Sequence, residues 1–158
     1  MTTSRRQFLT GAAAGAAAAV AGCSSGSGDT GMKYDGTTVE APEAAAEYLS
    51  NVSNFEGEAA DWTDRGEVTV TVGTAANGGN NGFGPAAITV SSGTTVVWEW
   101  NGKGMPHNVV AEDESFDSGA AVIEDGTTFS HTFEETGVHR YFCLPHKAQG
   151  MKGVVVVE

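Results

Sequence analysis

The stretch CLPHKAQGM (143–151) sets the thiol of Cys143 three residues before the imidazole of His146 and eight before the thioether of Met151. Three soft or borderline donors in one short loop serve packing poorly and a transition metal well. An electron-transfer copper site takes two imidazoles and a thiolate in a trigonal plane, with a distant thioether on the axis. The loop supplies three of those four groups. The best source of the second imidazole is His107 in GMPHNVV (104–110), which opens a strand directly after a Gly/Pro turn. Two segments that fold without metal would hold such ligands in place, so that copper changes valence with little movement around it. Zinc fits less well, because structural zinc favours several cysteines and catalytic zinc keeps three ligands and an open water position. A cysteine–histidine nucleophilic pair would leave Met151 without a purpose. Multicopper oxidase chemistry needs more histidines than the four present.

Donors so chosen need a rigid frame, and the pattern from Glu67 onward provides one. VTVTVG (68–73), AAITVSSG (86–93), TTVVWEW (94–100), HNVVAED (107–113), TTFSHTFEETG (127–137), VHRYFC (138–143) and GVVVVE (153–158) read as strands separated by glycine-rich turns. Short strands at regular spacing, with no helical periodicity between them, argue for an antiparallel all-β sandwich over residues 66–158. NGGNNGFGP (77–85) reads as a loop, and no Lys-Ser/Thr follows it as a phosphate cradle requires. Its FGP end reads as a strand entry that plugs the sandwich. Residues 36–65 read as a short helical or linker segment. There Pro42 suits a first helical turn, and Ala45, Tyr48, Leu49 and Val52 recur at helical spacing. A stripe so narrow must lean on the main domain to persist. Within the strands, period two turns His131 inward beside Phe129 and Phe133, as a core histidine and not a fifth ligand. His139 shares its parity with Tyr141 and Cys143. Trp98 and Trp100 read as sheet core, not a redox relay.

The chain carries 8 Lys+Arg against 20 Asp+Glu. Arg5 and Arg6 lie in a segment expected to be removed, so residues 23–158 hold 6 basic against 20 acidic side chains, a net −14. Such a chain does not seek nucleic acid, which rewards positive charge. Acid spread through the whole chain after the signal reads as a solvated surface, adapted to high salt or simply that of an acidic extracellular protein. SRRQFLTG (4–11) with the Ala/Gly run to Gly22 resembles a twin-arginine export signal, too short and weakly apolar to span a membrane. VAGC (20–23) resembles a lipoprotein box with Cys23 as the lipidated residue. Residues 1–22 are therefore read as signal, and 23–35 as lipid-attachment cysteine and Gly/Ser tether with a reach of roughly 20 Å. With each of the two cysteines given its own task, no disulfide is expected. Asn51-Val52-Ser53 is a candidate glycosylation sequon.

MPHNVVAEDESF and YFCLPHKAQGMKG together strongly resemble the plastocyanin-like cupredoxins, the small blue copper proteins. The resemblance covers nearly all of the chain after the signal. It implies an eight-stranded Greek-key sandwich with one copper ion at one end and one-electron shuttling between membrane complexes. Carried over by motif position, it implies His107, Cys143, His146 and Met151 as ligands. Asn108 is expected to tie the His107 strand to the cysteine loop and to aim its backbone N–H at the sulfur. Pro145 has no N–H to give, so the sulfur is expected to receive fewer hydrogen bonds. His139 stands where this family often has tyrosine. His146 is the expected electron port, ringed by an apolar collar of Leu144, Pro145, Met105 and Pro106 that meets donor and acceptor complexes. The expectation is thus a monomeric, non-enzymatic carrier, lipid-anchored on the outer face of the cell membrane. A copper chaperone or store in the same compartment is the rival function; such proteins favour exposed methionine- or histidine-rich sites, and one compact site is visible here.

Overall fold

The computed structural model describes residues 36–158. The segments expected to be export signal, lipid-attachment Cys23 and tether lie outside the described residues. Two sheets face each other. The larger contains β1 (Thr38–Glu40), β2 (Glu58–Asp61), β5 (Ala87–Val90), β7 (Val110–Ala111), β9 (Gly137–Phe142) and β10 (Lys152–Val157), in the order β1-β2-β5-β10-β9-β7. The smaller contains β3 (Glu67–Ala76), β4 (Gly79–Gly84), β6 (Thr94–Trp100) and β8 (Thr128–Phe133), in the order β4-β3-β6-β8. Eight of these strands follow Glu67, the number that the family resemblance implies.

Alternation builds the interior. In β3, Val68, Val70 and Val72 are buried, and in β6 Val96, Trp98 and Trp100 join them. From the larger sheet come Ile88, Val90, Tyr141, Val155 and Val157. Trp98 stands among Phe116, Phe133 and Tyr141, with ring centroids at 5.4, 6.3 and 5.2 Å. It is core, as its pattern predicts. His131 turns toward the same interior, half-buried, with its ring 4.8 Å from those of both Phe116 and Phe133.

Three features depart from the sequence reading. First, the sandwich is not wholly antiparallel: β5 pairs in parallel with both β2 and β10, and β3 pairs in parallel with β6. Second, NGGNNGFGP is not simply a loop. Asn77 and Gly78, with φ of 57° and 83°, close a two-residue hairpin between β3 and β4, the turn chemistry that an Asn-Gly pair favours. Phe83 then plugs the core as expected. Third, residues 36–65 are more than a helical linker. The helix α1 (Glu43–Tyr48) forms after Pro42, but β1 and β2 flank it and extend the larger sheet.

That third feature explains the uninterrupted valines of β10. Val155 and Val157 face the sandwich interior, while Val154 and Val156 pack on the outer side with Ala45, Leu49, Val52 and Ala87. A strand covered on both faces reads as a continuous apolar run. Burying Leu49 alone is worth roughly 1.5–3 kcal/mol, which is how so narrow a helical stripe stays in place.

Candidate metal centre

Cys143 follows β9, and a 3-10 helix over Leu144–Gln149 carries His146 back toward the strand end. The turn closes through His146 N–H to Cys143 O at 3.2 Å and Met151 N–H to His146 O at 3.1 Å. Cys143 N–H then bonds Met151 O at 3.0 Å, so the cysteine and methionine stand opposite one another as β9 passes into β10. His107 comes from the other segment. Its N–H and C=O pair with Val122 at 2.8 and 2.9 Å, and Trp100 Nε1 donates to its carbonyl at 3.1 Å.

The donor atoms converge. His107 Nδ1 and His146 Nδ1 are 3.2 Å apart, and Cys143 Sγ lies 3.8 Å from the first and 3.5 Å from the second. Bonds of about 2.0 Å to nitrogen and 2.3 Å to sulfur, set at 120°, place neighbouring donors about 3.5–3.7 Å apart. A single ion held by these three atoms would therefore fit the triangle as it stands. His107 Nε2 faces Lys103 O at 3.3 Å; donating its hydrogen there leaves the Nδ1 lone pair aimed at the ion. Met151 is buried beside Cys143 in the same cluster. Among the described residues, no other group of three or more His, Cys, Asp or Glu side chains is gathered closely enough to hold a metal.

Electrostatics favour the neutral imidazoles that a metal needs. Burial, and then the neighbouring His146, push the His107 pKa below the ordinary histidine value, although bonds to the carbonyls of Lys103 and Asn80 oppose them. Burial lowers His146 as well. Burial pushes the Cys143 thiol up, and the backbone N–H groups of Asn108 and His146 pull the other way. A bound cation supplies what is missing, because the thiolate ligates only when its proton is displaced.

Residues 68–158 match the family model of copper binding proteins, plastocyanin/azurin family. The chain belongs to that family. This cupredoxin is 44% identical to the halocyanin of Natronomonas pharaonis across 98% of each chain. It is 38% identical to a plastocyanin of Scenedesmus fuscus, over 56% of its own length and 99% of the relative's. A purple cupredoxin from Nitrosopumilus maritimus superposes on 58% of the chain, covering 99% of its own length, at 28% identity and a TM-score of 0.48. The cupredoxin's cofactor is copper, with His107, Cys143, His146 and Met151 forming one site.

Asn108 ties the two segments as expected: its Oδ1 accepts Leu144 N–H at 2.8 Å, and its Nδ2 donates to Gly119 O at 3.1 Å. Pro145 gives the sulfur nothing, but the His146 N–H contributes beside Asn108, a donor the sequence reading did not count. The collar residues Met105, Pro106, Leu144 and Pro145 are all exposed, Met105 at 63% and Leu144 at 65%. His146 itself is only 7% exposed, yet that is more than any other member of the donor set. Trp100, Lys103 and Val122 hold His107 and were not legible as such. Trp100 has the one usable signal, a tryptophan at a strand end next to a Gly/Pro turn, where its N–H needs a partner.

Proposed function

We propose that this cupredoxin is a one-electron carrier with a mononuclear blue copper site, and not an enzyme. The triangle of two imidazole nitrogens and one thiol sulfur, 3.2–3.8 Å on its edges and closed from solvent, carries that reading. Copper supplies a one-electron couple, Cu(I)/Cu(II), when bound. The chain's own work is to keep the donors still. His107 is held at N–H, C=O and Nε2, and Cys143 and Met151 are locked across a strand pair. A frame that does not rearrange keeps the reorganisation cost of each transfer small. Met151, buried beside Cys143, would supply a fourth donor to a bound copper and so occupy a position that a substrate would need, which disfavours enzymatic turnover.

The electron passes through the His146 edge at the collar. In this reading Leu144, Pro145, Met105 and Pro106 exclude water when a partner docks. Donor and acceptor are membrane redox complexes, met by a monomer confined to the outer face of the cell membrane. Export by the twin-arginine route and a lipid on Cys23 put it there, and the acidic surface reflects high salt. The motifs at 4–11 and 20–23 support that placement.

Visible and electron-paramagnetic-resonance spectra of residues 24–158 after adding Cu(II), beside Cys143→Ser, test the proposal. An intense thiolate-to-copper band with narrow copper hyperfine splitting, lost in the variant, is the expected result. A pale protein with ordinary square-planar signals overturns it and favours copper handling without electron transfer.

A further inference from the structure

Met151 is bracketed by two residues that are both fastened to parts of the fold outside the ligand loop. On one side, Gly150 O accepts a hydrogen bond from Asn77 Nδ2 at 2.9 Å. On the other, Lys152 Nζ donates to Asn51 Oδ1 at 3.0 Å. Asn77 and the segment that holds Asn51 are themselves stapled: Ser53 N–H donates to Asn77 Oδ1 at 2.9 Å, and Asn77 N–H donates to Ser53 Oγ at 2.6 Å. A second Asn77 Nδ2 bond, to Asn81 O at 2.7 Å, fixes the amide's orientation. Contact at Gly150 is close as well as bonded. A Cβ there would stand 2.6 Å from Asn51 O and 3.0 Å from Asn77 Oδ1, and its φ is +101°.

We infer that Asn77 is a positioning residue for Met151, the thioether that would ligate copper: through Gly150 it sets where Met151 presents its sulfur. The inference rests on the copper site proposed above. The ligand loop by itself fixes Met151 through His146 O and Cys143 N–H, both within the donor loop. Asn77 adds an outside reference, because it stands on the β3–β4 turn of the smaller sheet while Met151 leads into the larger one. Its left-handed backbone, φ 57°, is one that asparagine accepts more readily than most side chains. The same residue therefore closes the hairpin and reaches the loop.

Asn77→Gly separates these tasks, since glycine keeps the left-handed turn and loses the amide. Asn77→Asp is the second variant. It tolerates the turn and keeps the acceptor for Ser53 N–H, but it sets an oxygen against Gly150 O. Each is compared with the parent chain by copper electron-paramagnetic resonance, midpoint potential and amide hydrogen exchange of the metal-free protein. In both variants the expected results are a changed copper signal and a displaced potential, with about tenfold faster exchange at Met151 N–H as the loop loosens once the Asn77 Nδ2 bond to Gly150 O is gone. Exchange in β6 and β9 should stay at parent rates. Parent-like signal and potential in both variants would reduce Asn77 to a turn residue and overturn the inference, whatever the exchange rates. If the parent shows no thiolate–copper band, the carrier reading fails; the exchange at Met151 then decides alone whether Asn77 positions that residue.

Discussion

Asn108 Oδ1 accepts the Leu144 N–H at 2.8 Å, so the residue after His107 is joined to the residue after Cys143. Two donors 36 positions apart in the chain are thereby held in step without any metal. Replacing Asn108 by Ala removes this bond and the one to Gly119 O. A loss of about 1–3 kcal/mol in the metal-free protein is expected from two hydrogen bonds, read from urea denaturation. A shifted midpoint potential should accompany it, since the Asn108 N–H beside the sulfur moves with the side chain's anchor. An unchanged potential would show that the bond supports folding alone.

The Tyr48 hydroxyl lies 2.9 Å from Glu112 Oε1 and 3.0 Å from Tyr141 O. Burial, then Glu112, push its pKa up. Glu112 also meets Lys147 at 2.7 Å, beside His146. Burial tends to raise the Glu112 carboxyl, but bonds from Lys147 and Tyr48 outweigh it and hold the pKa below the usual value. Tyr48→Phe keeps the ring against Lys152 and Arg140 and deletes the hydroxyl. The expected cost is about 1 kcal/mol, measured by denaturation, with the copper spectrum unchanged.

Acid should destabilise the metal-free protein in a defined window. His107, His131 and His146 all have folded-state pKa values pushed below the ordinary histidine value, in each case first by burial. The unfolded chain therefore takes up protons at a higher pH than the folded one. Stability from these groups is fully present above the unfolded pKa, about 6.5, and is lost as pH falls below it toward the folded values. His139 lowers His131 further, while Asp113 opposes. Thermal melts of the metal-free chain should fall between about pH 7.5 and pH 5.5, and His131→Phe should flatten that slope. A flat profile in the parent would refute it.

Collar chemistry should decide encounter in concentrated salt. At about 1 M the screening length is roughly 3 Å, so the acidic surface neither steers nor repels at range. Two collars that meet in electron self-exchange would bury Leu144. Leu144→Lys places like charges in that contact. The self-exchange rate in molar salt, taken from nuclear-magnetic-resonance line widths of mixed redox states, should fall about tenfold, a loss of about 1.4 kcal/mol. A rate equal to the parent's would remove the collar from the docking surface.

Legibility in the sequence followed locality. Cys143, His146 and Met151 are neighbours in the chain, so their donor types could be read together, and Asn108 was recognisable from its place beside His107. The strands whose side chains alternate, β3 and β6, were plain for the same reason. β2 was not: its residues Glu58-Ala59-Ala60-Asp61 are poor strand formers, and pairing with β1 on one side and β5 on the other extends them. β4 was hidden by its glycines, although Asn77-Gly78 carried the hairpin signal. The parallel pairings join Ala60 to Ile88 and Val155 to the same Ile88. Nothing local encodes such distant partners. The hold of Asn77 on Gly150, 73 positions away, is unreadable for that reason too.

Those parallel pairings also govern time. β5 lies between β2 and β10, so completing the larger sheet requires the stretch between Ala60 and Val155 to be looped. Topologies dominated by such distant pairs fold in milliseconds to seconds, far slower than locally connected ones. The donor loop, by contrast, closes over nine residues from Cys143 to Met151, and a loop near that length closes in about 10–100 ns. An ion meeting the chain early would thus find a thiol, an imidazole and a thioether but not His107. The trigonal set exists only after the slow step, so the folding rate of the sandwich is the ceiling on how fast a newly made chain acquires its colour.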